Sequence, residues 1–498
     1  MPAELTPIVA QGRNCWRIAR ANKASVIVDA ADYYQIVASV MEAAEKRIFI
    51  AGWDFDTRIP LCPDENGKGE TLGRFFLRLA KAKPHRQIDI LKWNFGAMKQ
   101  LVHATSVVWL WRWKQTKAID FRFDSSHPVG CSHHQKIVVI DDRIAVCGGI
   151  DISARRWDTP CHLDGDPHRV APDGKPYPPW HDATMMMQGD VAEQLSILVR
   201  ERWKVATEAE LEVIEPYEQE WPAELGVMFE DVDIAIARTR AAYRQLPEVR
   251  EIETLYLDMI AAAKRFIYFE NQYFTSGKIA AAIALRMVEA DPPEIVMVMP
   301  RTGDGWLEQK AMDAARLKLV AAIGRTDKHN RFRVYVPVTR GGTDIYVHAK
   351  VSILDDRLLR VGSSNLNNRS QGLDSECDVI IDAALPANRG SEGAMTTLRH
   401  RLIAEHLDCA PEEFAAREAA CGSMIGAIEA LRGQGKTLVM LEAAEPGTVE
   451  KIIAANELLD PESPDHMFEP IRKHGLADSW EKGKALVARR LHPARRAR

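Results

Sequence analysis

Residues 133–151 read "HHQKIVVIDDRIAVCGGID", and residues 347–370 read "VHAKVSILDDRLLRVGSSNLNNRS". Both place a histidine two positions before a lysine, pass through a mostly apolar run into paired aspartates, and turn at Gly-Gly or Gly-Ser. One copy would be weak evidence, because a lone His-x-Lys strand is usually a satisfied histidine beside a surface lysine. Two copies with identical spacing predict a chain built twice on one α/β plan.

Working outward extends the repeat. "AAEKRIFIAGWDFD" at 43–56 matches "AAAKRFIYFENQYF" at 261–274, each a helix end with a basic pair running into an apolar, aromatic strand. Each half then offers a helical stretch, a strand ("QIDILKW" or "EIVMVMP"), a second helix and a further strand ("DFRF" or "FRVYVPV"). After the His-Lys strand and the Asp-Asp turn, a last strand opens with an acid, Asp182 in one half and Glu376 in the other.

These observations predict an α/β fold of two similar halves, residues 1–215 and 226–390, packed by pseudo-two-fold symmetry. A Pro- and Glu-rich surface linker at 212–225 joins them. Residues 391–498 lose the repeat and read as a helical C-terminal appendage with a basic tail. The Pro/Gly/Asp-rich insertion at 158–180 occurs only in the first half and is expected at the rim of the site.

Composition narrows the function classes. The 498 residues are 46% apolar and 27% charged, with no apolar run near the roughly 18 residues that span a bilayer. The first residues lack the pattern of a secretory signal, so cytoplasmic residence is expected. A net charge of −5 supplies no global positive field, and no nucleic-acid partner is expected. Eight cysteines without CxxC pairs read as reduced and structural. His133 and His181 have no counterpart in the second half and read as structural, and Trp109, Trp111 and Trp113 as packing on a helix flank. Arg489, Arg490, Arg495, Arg496 and Arg498 read as a solubilising tail.

In a strand, positions i and i+2 share a face, so His134 projects with Lys136 and His348 with Lys350. Two imidazoles and two ammonium groups converging on one pocket suit a phosphodiester: one imidazole attacks phosphorus, the other protonates the leaving oxygen, and the lysines hold the non-bridging oxygens. Asn365 can donate amide hydrogens to a phosphoryl oxygen, and Ser363 has a hydroxyl at the same turn. The matching Asp151 cannot donate as a carboxylate, which leaves open whether it faces the phosphate. A nucleophilic imidazole needs an acceptor to orient it, and Asp182 and Glu376 are the candidates. Asp141 and Asp355, at the strand ends, are expected to satisfy backbone or arginine donors.

These residues resemble the phospholipase D superfamily, whose mark is H-x-K-x4-D followed by G-[GS]-x-[ND]. His134, Lys136, Asp141, Gly148, Gly149 and Asp151 fill it once, and His348, Lys350, Asp355, Gly362, Ser363 and Asn365 fill it again. "ENQYF" at 270–274, "PWHD" at 179–182 and "SSNLNNRS" at 363–370 look like the phospholipid-cleaving branch. The resemblance implies a catalytic set of His134, Lys136, Asp141, Asp182, His348, Lys350, Asp355 and Glu376, with Ser363, Asn365 and Asp151 at the substrate and neither metal nor cofactor in the chemistry. By position, His134 attacks to form a phosphohistidine, His348 is general acid and then base, and Asp182 and Glu376 orient them. The implied substrate is a glycerophospholipid, met by a monomer lying peripherally on a membrane surface. Water gives phosphatidic acid; an alcohol gives a new phospholipid. Competing readings are a cardiolipin synthase, a nuclease of the same superfamily and a non-catalytic membrane scaffold, the last disfavoured by the intact histidines and lysines.

Overall fold

A computed structural model describes residues 6–64, 67–94, 104–303, 307–433 and 435–441; the basic tail lies outside them. The first half contributes β1 (Arg17–Val28), β2 (Arg47–Gly52), β3 (Gln87–Trp93), β4 (Ile119–Asp124), β5 (Ile137–Ile140), β6 (Ile144–Gly148), β7 (Trp180–His181) and β8 (Ala183–Gln188). The second contributes β9 (Phe229–Arg240), β10 (Val249–Arg250), β11 (Phe266–Glu270), β12 (Glu294–Val298), β13 (Phe332–Val338), β14 (Tyr346–Val347), β15 (Val351–Leu354), β16 (Leu358–Gly362) and β17 (Glu376–Asp382). A last strand, β18 (Thr437–Met440), follows the C-terminal helices.

Among the described residues these strands form one 16-stranded mixed sheet, in which β10 pairs only with β9, and a two-stranded ribbon of β7 and β14. The order through the large sheet is β18-β13-β12-β11-β15-β16-β17-β9-β1-β8-β6-β5-β2-β3-β4. Outward from the antiparallel β1–β9 pair the two sides run through equivalent strands, so the predicted pseudo-two-fold passes between β1 and β9. The pairs β2–β3, β3–β4, β11–β12 and β12–β13 are parallel, which requires the crossover helices seen in the repeat.

Helices cover both faces. Ala30–Ala43 and Leu72–Ala82 pack over the first half, and Glu251–Ala262 and Gly277–Met287 over the second. The opposite face is shared: Asp190–Thr207, which follows β8, and Glu392–His406, which follows β17, bury Leu195, Trp203, Leu398 and Leu402 in one continuous core. Among the described residues after 391, the helices Glu392–His406, Pro411–Cys421 and Met424–Leu431 join the core, and β18 extends the sheet beside β13. Met395, Leu398 and Leu402, which recur on successive turns of one face, are what bury the first of these helices.

The Asp-Asp turns explain two motif residues. Asp141 and Asp142, and likewise Asp355 and Asp356, all have φ between 51° and 55°, the left-handed region that both central residues of a type I′ turn require and aspartate tolerates. Asp141 accepts the backbone N–H groups of Glu45, Lys46 and Arg47, and Asp355 those of Lys264, Arg265 and Phe266. Each carboxylate ties its turn to the entry of β2 or β11. The linker is a strap rather than a free spacer, since Gln219 also donates to Asp141, at 2.8 Å.

Candidate active site

His134 and Lys136 lie in the extended residues just before β5, and His348 and Lys350 just before β15, not inside the predicted strands. The backbone there is engaged with the opposite half. His134 N donates to Ser375 O at 2.9 Å while Ser375 N donates to Ser132 O at 2.9 Å. Likewise β14 pairs in parallel with β7, and His348 N donates to His181 O at 2.7 Å. Each His-Lys segment thus runs beside the acid-bearing segment of the other half.

The side chains cross with the backbone. His134 Nδ1 lies 3.0 Å from both oxygens of Glu376, and His348 Nδ1 lies 2.6 Å from Asp182 Oδ2. Sequence reasoning named both acids without assigning partners; each imidazole meets the acid of the other half. Neither half alone pairs its motif histidine with its own acid.

The residues after the glycine turns serve these acids. Ser363 Oγ accepts from Cys377 N at 3.0 Å and donates to Glu376 Oε2 at 2.5 Å, and Ser370 Oγ donates to Oε1 at 2.7 Å. Ser363 is therefore an anchor for Glu376. At the equivalent Gly149 a Cβ would overlap Asp182 Oδ1, so glycine is what lets that carboxylate reach His348. Asp151 faces the lysine of its own half. It lies 3.2 Å from Lys136 Nζ and accepts from the N–H groups of Trp53 and Asp54, both at 3.1 Å, so it balances the lysine. Asn365 is buried with its Oδ1 lacking a hydrogen-bond partner.

The lysines differ. Lys136 donates to His134 O at 3.0 Å and has Asp151 as counter-ion, whereas Lys350 donates to His348 O and, at 3.3 Å, to Gln272 Oε1, and makes no ion pair among the described residues. Burial, reinforced by Lys136 and opposed by Asp182, pushes the Lys350 ammonium down to about 7. Burial, then Lys136 and Lys350, holds His134 well below the ordinary imidazole value, and burial, then Lys350, does the same to His348. Burial pushes Glu376 up to about 8 against the Ser363 hydroxyl, and raises Asp182 against Lys350. With two hydroxyls donating to it, ionised Glu376 selects the His134 tautomer that carries its proton on Nδ1 and leaves Nε2 unprotonated.

Sequence reasoning missed several neighbours. Trp180 lies 5.2 Å from His348, stacks at 4.5 Å on Tyr346, and carries the Arg156 guanidinium 4.1 Å above its ring. A cavity of about 380 Å³ lies alongside, lined by Arg155, Tyr177, Trp180, Arg301 and Tyr346. Trp53 meets His134 edge-on at 6.3 Å. Trp180 and Gln272 stand inside recognisable motif flanks; nothing in the sequence around Arg156 marks it. The 158–180 insertion does reach the site through Trp180, while its Asp158, His162 and Arg169 are buried.

A phospholipase D family model matches residues 40–281, and a cardiolipin synthase, PLD-like domain model matches residues 256–391. The chain belongs to the phospholipase D superfamily. Phospholipase D A of Dictyostelium discoideum is 24% identical over 483 residues, covering 77% of this chain and 35% of its own. Phospholipase D alpha 1 of Carica papaya is 22% identical over 527 residues, covering 76% and 64%. The chain thus spans about one third to two thirds of the length of these superfamily relatives. The crystal structure of phosphatidylserine synthase from Haemophilus influenzae Rd KW20 shares the fold, with a TM-score of 0.55 at 14% identity over 81% of this chain and 95% of that one.

Proposed function

We propose that this superfamily member is a phospholipase D-type phosphodiesterase that hydrolyses or transfers the head group of glycerophospholipids through a phosphohistidine on His134. The observation that carries the reading is the pair of crossed imidazole–carboxylate contacts, His134–Glu376 and His348–Asp182, flanked by both lysines. His134 Nε2 attacks phosphorus, the bond to the head-group oxygen breaks, and His348 protonates that oxygen. His348 then takes a proton from water or an alcohol, whose oxygen attacks phosphorus and frees His134. Lys350, Lys136 and the Asn365 amide hold the non-bridging oxygens as charge develops on them. Asp141 and Asp355 act from outside the pocket by fixing the turns that present the motif. The cavity beside Trp180 and Tyr346 offers room for a head group.

The substrate reading is a lipid at a membrane surface, met peripherally by a monomer in the cytoplasm. Among the described residues no helix is long and apolar enough to cross a membrane. A second reading, a cardiolipin synthase-type phosphatidyltransferase, is favoured by the match of residues 256–391 to the cardiolipin synthase domain. A nuclease is the lesser alternative, given the net charge of −5.

Vesicles of phosphatidylcholine with added ethanol test the first reading: phosphatidic acid and phosphatidylethanol should both form, and both should vanish in Lys350→Ala. Vesicles of phosphatidylglycerol alone separate the second, because a synthase converts them to cardiolipin and glycerol. If all phospholipids offered stay intact while a polynucleotide is degraded, the lipid reading fails.

A further inference from the structure

Beneath the His348–Asp182 pair, two buried histidines and two carboxylates from three separate parts of the chain point at one another. Asp29 comes from the start of the first helix, His162 and His181 from one stretch that runs through the 158–180 insertion into β7, and Glu405 from the helix Glu392–His406. We infer that these four side chains form a binding site for one divalent transition-metal ion, Zn²⁺ by its donor set, which clamps the three segments together and takes no part in the chemistry.

One donor atom from each of the four side chains lies within 4.8 Å of the others. His162 Nε2 lies 3.6 Å from Asp29 Oδ2 and 3.2 Å from Glu405 Oε1, and His181 Nδ1 lies 3.2 Å from Asp29 Oδ1 and 2.9 Å from Glu405 Oε1. Metal–ligand bonds near 2.0 Å give tetrahedral edges of about 3.3 Å. His181 Nδ1, despite these approaches, makes no hydrogen bond to either carboxylate, and Asp29 Oδ2 and Glu405 Oε2 are buried without hydrogen-bond partners.

An independent observation is the support behind each ring. His162 presents Nε2 to the cluster and its Nδ1 lies 2.9 Å from Asp158; His181 presents Nδ1 and its Nε2 lies 3.0 Å from Glu270. Those carboxylates are held in turn, Asp158 by Arg169 and the Trp180 N–H, Glu270 by the Tyr268 hydroxyl. A histidine that gives one nitrogen to a buried carboxylate and its other nitrogen to a shared centre is the arrangement of metal-ligating imidazoles. Four carboxylates, Asp29, Asp158, Glu270 and Glu405, surround the two rings, and Arg169 is the permanent cation that pairs with one of them. Four donors, all supplied by the chain, would leave no open position for a substrate, as in a structural rather than a catalytic zinc site.

The clamp bears on catalysis by position. Asp29 N donates to Asp182 O at 2.8 Å, Asp182 N donates to Asp29 Oδ1 at 3.1 Å, and His181 O accepts from His348 N. Asp29 and His181 are therefore positioning residues for the general acid. The test uses the full-length protein without substrate, so its outcome is independent of the lipid reading. Elemental analysis of protein purified in metal-depleted buffer should find one zinc per chain. Anomalous scattering at the zinc edge should place it between His162 Nε2 and His181 Nδ1. Protein refolded with Co²⁺ should show the intense visible absorption of a tetrahedral site, absent in His162→Gln and in Glu405→Gln. If a variant fails to fold, the wild-type metal content and anomalous peak still decide. Wild-type protein without stoichiometric metal and without the cobalt spectrum overturns the proposal, and so does an ion found at any other position.

Discussion

Gly149 has almost no freedom to change, because the space a Cβ would take is already filled by Asp182 Oδ1, with His348 O 3.2 Å away on another side. Gly149→Ala should force that carboxylate off His348. Forced overpacking of this kind costs about 1–3 kcal/mol, and misplacing a catalytic group by an ångström lowers turnover about 100-fold. Thermal unfolding and kcat of the variant check both; an unchanged kcat would mean that Asp182 is not what holds His348. The titration of the site follows from two groups. Glu376, up at about 8, must be ionised to orient His134, so the active fraction rises as pH rises through that value. Lys350, down at about 7, must be protonated to hold the phosphate, so the active fraction falls as pH rises through that value. The base titrates above the acid, which predicts a narrow bell in kcat/KM centred between about 7 and about 8, its apparent values belonging to the coupled site. A guanidinium does not lose its charge in this range, so the residual activity of Lys350→Arg should lose the alkaline limb. A limb that persists there contradicts the assignment to Lys350. At this scale the histidines and lysines were legible because spacing alone announces them. The partners were not: Ser363 and Asp151 both follow the glycine turns, and only three-dimensional packing turns one toward Glu376 and the other toward Lys136.

At the scale of elements, the Asp-Asp turns and the segments they anchor decide how the motif is presented. Asp141 takes three backbone N–H groups at the entry to β2, and removing it strands them partly buried. Asp141→Ala should reduce the unfolding free energy by roughly 2–4 kcal/mol, read as a lower urea midpoint. A full loss of turnover with an unmoved midpoint would show instead that the carboxylate acts on substrate. The repeat was legible at this scale because it reappears as the same run of strands on each side of the β1–β9 pair. Two features escaped. The His-Lys residues read as strand because they alternate, yet they precede it, since their hydrogen bonds go to the other half. And Glu392–His406 read as outside the repeat because its sequence diverges, although it follows β17 as Asp190–Thr207 follows β8 and buries Leu398 and Leu402 in the same core.

At the scale of the whole molecule, the crossing of the halves is what makes one site out of two motifs. The sheet is continuous through the β1–β9 pair, so the halves cannot shift without breaking its central ladder, and the ribbon of β7 and β14 fixes His348 against Asp182 from the other side. Sequence symmetry implied a shared pocket but not the exchange of acids, because a repeat is equally compatible with each histidine using the acid of its own half. The proposed roles, nucleophile for His134 and acid then base for His348, predict distinct fates for the two histidines. The most direct measurement is to mix full-length His348→Asn with a soluble short-chain phosphatidylcholine, quench in neutral denaturant to spare an acid-labile phosphohistidine, and map the adduct by peptide mass spectrometry. The account predicts a phosphatidyl group accumulating on His134 in this variant and no adduct in His134→Asn. In wild-type protein, an adduct carried by His348, or turnover by residues 1–220 expressed alone, would contradict it.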